Sequence, residues 1–167
     1  TTNKAIDSIV SWRDTANAKT ALVATTNAQL MIGDVTDATP STNSVVFTNR
    51  VGALAAASVN STYTNYDSLN NILIGSCNSA SSGAVFKVTA YNANGAALGG
   101  SPPAADIVKQ CNNFLFLSRN LSSATTQSKV YWSNVNDPET WTAANVLEFS
   151  KNDGEPVMAL GSIGTDL

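Results

Sequence analysis

The chain has 167 residues, enough for one domain with a substantial core. Only 13% are charged, and the 9 Lys and Arg against 12 Asp and Glu are spread without a basic stripe, which disfavours sequence-specific binding to nucleic acid. There is no histidine, the two cysteines Cys77 and Cys111 make no zinc ligand set, and no apolar run approaches the ~18 residues of a membrane span.

In chain order, the runs ALVATT (21–26), QLMIGDV (29–35), NILIGS (71–76), AVFKVTAY (84–91), FLFLS (114–118) and KVYWSNV (129–135) have strand length and are rich in β-branched and aromatic residues. Helical spacing is confined to short Ala-rich windows around 52–59 and 103–110, so an all-β chain is expected. The two cysteines are expected to be buried thiols, since disulfide scaffolds carry far denser cysteine.

The strands recur in a fixed order. A first element reads AIDSIVSW from Ala5, GALAAASV from Gly52, ADIVKQC from Ala105 and PVMALGSI from Pro156, about fifty residues apart. A second element follows as TALVATT, NILIGSC and FLFLSRN, and a third places Leu30, Val85 and Val130 at matching positions. A weaker fourth is SVVFTN (44–49), the region of Ala97 and Leu98, and NVLEFS (145–150). This order predicts a β-propeller-like fold of about three four-stranded blades, 5–51, 52–104 and 105–155, with the start of a fourth at 156–167. Three units and a fragment fall short of a closed ring, so the chain reads as part of a larger propeller. The competing architecture is a β-sandwich with evenly spaced strands.

The stretch YWSNVNDPETW (131–141) gathers Tyr131, Trp132 and Trp141 around an Asp-Pro step. Asp137-Pro138 is a turn signal, because proline presets the backbone dihedral and the Asp side chain bonds the turn backbone. Trp132, Asp137, Pro138 and Trp141 are therefore expected to form a packed structural corner. The alternative is an interaction loop in which an indole stacks on a ligand. No catalytic, cofactor-binding or metal-binding pattern is expected, and Asp34 with Asp37 reads as a solvated turn rather than a calcium loop.

Tyr-Trp-Ser, then Asp-Pro-Glu-Thr-Trp, an apolar strand, the turn Asn152-Asp153-Gly154-Glu155 and Pro156-Val-Met-Ala-Leu together resemble the β-propeller region of the tail hub or nozzle proteins of short-tailed phages, including tail tubular protein B and DNA-stabilisation factors. The resemblance covers residues 129–167. It implies a virion structural component without an active site, built into a homo-oligomeric and usually sixfold ring through which DNA leaves, with other tail proteins as partners. Asn136 to Trp141 also partly resembles the Asp-box of sialidase-like propellers, in which Thr140 and Trp141 match. Asn136 stands in place of its Asp there, and Pro138 replaces its Gly. That likeness keeps a carbohydrate-binding propeller and, less so, a glycoside hydrolase as alternatives; the latter commonly needs two carboxylates at a set separation.

Overall fold

The computed structural model describes residues 5–26, 28–36, 45–54, 63–77, 84–119, 128–149 and 155–162. Twelve strands and no helix occur among them. Sheet 1 contains β1 (Ser8–Asp14), β2 (Lys19–Thr26), β3 (Gln29–Asp34) and β4 (Phe47–Asn49). Sheet 2 contains β5 (Thr64–Leu69), β6 (Ile72–Cys77), β7 (Val85–Val88) and β8 (Ala96–Ala97). Sheet 3 contains β9 (Ile107–Cys111), β10 (Phe114–Ser118), β11 (Lys129–Asn134) and β12 (Asp137–Glu148). Each sheet is an antiparallel meander in which strands neighbour one another in chain order. The all-β, four-stranded-unit expectation holds, and the equivalent apolar runs 21–26, 72–77 and 114–118 each lie in the second strand of a sheet.

Local sequence explains the hairpins. The β5–β6 and β9–β10 connections are Asn70-Asn71 and Asn112-Asn113, with φ of 51°, 65°, 47° and 64°. Two-residue hairpins favour left-handed backbone at both positions because that twist matches the strands, and Asn tolerates it better than other residues with a Cβ.

The first-strand element of the second unit is corrected. Its first strand is TNYDSL at 64–69, not GALAAASV at 52–59. Gly52 and Ala53 form a turn closed by Leu54 N donating to Val51 O at 3.1 Å, and residues 55–59 lie outside the described ones. The fourth first-strand copy is corrected too: residues 155–162 form no strand. The Ala-rich window at 103–110 enters β9 rather than a helix.

The sheets remain separate but are tied through their first strands, β5 packing beside both β1 and β9. Thr64 N donates to Ser8 Oγ at 2.7 Å, and Thr25 Oγ1 donates to Thr64 Oγ1 at 2.9 Å. On the other side, Asn65 Oδ1 accepts from Val108 N at 3.1 Å, while Asp67 Oδ2 accepts from Gln110 N at 2.8 Å and Lys109 Nζ at 3.0 Å. Side chains of β5 thus satisfy main-chain donors on β9, an edge strand that would otherwise present unpaired N–H groups.

Two cores fill the spaces between sheets. Trp12, Val23, Leu30 and Ile32 of sheet 1 meet Leu73, Cys77, Phe86 and Val88 of sheet 2. The opposite face of sheet 2 supplies Leu69, Ile74, Val85 and Leu98 against Val108, Leu115 and Leu117 of sheet 3. Sheet 2 is therefore covered on both faces, which is why ILIGSC is almost continuously apolar. Burying each large apolar side chain contributes about 1.5–3 kcal/mol. Gly75 leaves room for the Phe86 ring, whose Cζ would lie 2.3 Å from a Cβ there. Cys77 and Cys111 are both buried thiols and form no disulfide with each other.

Candidate functional site

The β11–β12 corner is built from a tighter turn than the sequence predicts. Asn134 pairs with Asp137, so the turn is Val135-Asn136, with φ 57° at Asn136. Asp137 and Pro138 already belong to β12. Asn136 N donates to Asn113 O at 2.7 Å, and Asn70 Nδ2 donates to Asn136 O. Both Asn-Asn turns therefore hold this hairpin from one side.

Asp137 organises the start of β12. Its Oδ1 accepts from Glu139 N at 2.9 Å and its Oδ2 from Thr140 Oγ1 at 2.6 Å. Those two bonds, the hydroxyl of Thr140 first, hold its carboxyl below the usual range. Pro138 is buried on the edge strand, where the ladder is interrupted between the Asn134–Asp137 and Ser133–Trp141 pairs. An interrupted edge accommodates a residue that has no N–H to give.

Glu139 reaches the neighbouring sheet. Its Oε1 accepts from Lys87 Nζ at 2.6 Å and from Gly99 N at 2.7 Å. The Lys87 bond is the largest influence lowering its pKa, burial opposes it, and the Gly99 N–H reinforces it. The connection from β8 lies so close that a Cβ on Gly100, at φ 72°, would stand 1.6 Å from Glu139 O. Only glycine fits there.

Trp132 and Trp141 are placed on opposite faces. Trp141 pairs with Ser133, whereas Trp132 is the adjacent residue along β11 and points the other way. Trp141 packs against the core shared by sheets 2 and 3. Trp132 lies beside Phe116, ring centroids 6.4 Å apart, with Phe114 beyond it at 6.3 Å from Phe116. The four expected residues thus divide: Asp137 and Pro138 open β12 just after the turn, Trp141 packs on the second core, and Trp132 joins an aromatic row on the outer face of sheet 3.

A second polar junction, which sequence reasoning missed, centres on Asp14 at the end of β1. Its fully buried carboxylate accepts from Asn17 N at 3.1 Å, Asn17 Nδ2 at 2.8 Å, Asn71 Nδ2 at 3.1 Å and Tyr91 N at 2.9 Å. Burial raises its pKa, but the bonds from Tyr91, Asn71 and Asn17 outweigh it and hold the carboxyl at about 2. The available signal was Asp14-x-x-Asn17 at a hairpin, a side chain capping its own turn.

A cleft of about 280 Å³ opens beside Trp141, lined by Tyr131, Trp141, Thr142, Asn145, Ser101 and Pro103. A second, of about 170 Å³, lies on the outer face of sheet 1 between Ile6, Ala24, Thr26, Met31 and Phe47. No group of three or more His, Cys, Asp or Glu able to hold a metal occurs among the described residues. Asp34 is engaged by Lys19 Nζ at 3.0 Å and Thr36 N at 2.8 Å, and Asp37 lies outside the described residues. Among the described residues no helix is long and apolar enough to cross a membrane. Compared with known proteins, the chain matches no family model, no curated protein and no solved structure.

Proposed function

We propose that the three sheets are successive blades of a β-propeller and that the chain is a structural part of a phage tail hub or nozzle, assembled into a homo-oligomeric ring with other tail proteins and carrying no active site. The observation that supports this most is the placement of first strands: β5 packs between β1 and β9, as inner strands do around a propeller axis. The terminal faces support it too. Sheet 1 turns Ile6 and Ile9 outward, 60% and 54% exposed, and sheet 3 turns Trp132, Phe116 and Leu147 outward. Apolar surface of this kind suits burial against a further sheet. The virion assignment itself rests on the resemblance carried by residues 129–167.

Light scattering with negative-stain imaging tests this reading. Ring-shaped oligomers are expected at ~10–100 µM, and a strict monomer over that range contradicts ring assembly.

A further inference from the structure

We propose that the cleft beside Trp141 binds one ring of a neutral saccharide. Its walls are two aromatic side chains, Tyr131 on β11 and Trp141 on β12, both half-buried. Aromatic faces take the C–H face of a pyranose, while its hydroxyls need neutral donors and acceptors around the rim. Thr142, Asn145 and Ser101 supply these.

The irregular ladder builds the rim. Tyr131 pairs with Val146 and Ser133 with Trp141, so residues 142–145 bulge from β12 opposite Trp132 alone. Such bulges on edge strands re-aim side chains. The bulge exposes Thr142 and brings Asn145 into the cleft. Thr142 Oγ1 reaches Asn134 Oδ1 only at a long 3.4 Å.

The opposite wall is preformed. Glu139 fixes Gly99, Gly100 packs on the Glu139 backbone beside the indole, and Ser101 with Pro103 follow along the cleft. Among the described residues no charged side chain lines the cleft. The volume lies at the small end for ligand pockets, suited to one ring rather than an extended peptide.

Saturation-transfer NMR on the 167-residue chain tests the proposal, using methyl glycosides of glucose, galactose, mannose and N-acetylglucosamine and neutral oligosaccharides of each, beside sialic acid and a proline-rich peptide. At least one neutral saccharide is expected to bind saturably with Kd of order 1 mM, with the strongest transfer to ring C–H protons. Oligosaccharides that bind more tightly than their methyl glycosides would assign the site to a polymer, and equal affinity to a free sugar. The double variant Thr142→Val, Asn145→Ala should weaken binding about tenfold or more with Tm unchanged. No saturable binding by any neutral saccharide, preference for sialic acid or the peptide, or parental affinity in the variant would overturn the proposal.

Discussion

The two junctions between sheets join similar β layers by different chemistry. Between sheets 1 and 2, one fully buried carboxylate, Asp14, collects neutral donors from its own turn, from Asn71 and from the Tyr91 backbone. Between sheets 2 and 3 the ties include two partly exposed ion pairs, Lys109 with Asp67 and Lys87 with Glu139, beside main-chain bonds to Asn65, Asp67 and Glu139. Beside the neutral bonds of Ser8, Thr25 and Thr64, the first junction places its charge in a carboxylate shielded from salt. The second divides its charge among pairs that water and ions reach, and each contributes less.

The largest expected effect is therefore at Asp14. Asp14→Ala removes the acceptor shared by Asn17, Asn71 and Tyr91 and should cost about 3 kcal/mol in urea unfolding, with little dependence on salt. Its pH signature follows from a folded pKa of about 2 against 3.8 in the unfolded chain. The contribution is fully present above about pH 4 and is lost as pH falls toward 2, about 2 kcal/mol in all. Asp14→Asn should flatten the acid limb of the stability curve, and an unchanged limb would assign acid lability elsewhere.

Trp141→Ala should come second, at about 2–3 kcal/mol, because the ring packs on the second core but is only partly buried. Thermal unfolding beside the parent measures it, and an unchanged midpoint would remove the packing role. Glu139→Gln is the smallest, about 1 kcal/mol at low salt and less at ~1 M salt. A salt response at Asp14→Ala equal to that at Glu139→Gln would erase the contrast between the junctions.

Burial decided which elements were legible in the sequence. The second strands β2, β6 and β10 and the third strands β3, β7 and β11 were readable because sheets cover them, so their residues are apolar in runs. Strand β5 was not, because TNYDSL spends Asn65 and Asp67 on the backbone of β9 and so reads as a loop. The paired Asn70-Asn71 and Asn112-Asn113 would have located it, since both precede an apolar strand of the same kind. At the candidate site a turn was legible near Asp137-Pro138, but it lies one step earlier, at Val135-Asn136, because Asp137 and Pro138 already open β12. The opposite facing of Trp132 depends on a ladder irregularity, and the wall from residues 101–103 depends on tertiary contact with Glu139, which no local pattern encodes.

The central claim is that sheets 1, 2 and 3 are consecutive blades around one axis. Cryo-electron microscopy of the assembled protein tests it most directly. The account predicts β1, β5 and β9 side by side around that axis, with further sheets covering Ile9 on sheet 1 and Trp132 on sheet 3. Sheets 1 and 3 stacked face to face, or both outer faces open to solvent in the assembled particle, would contradict it.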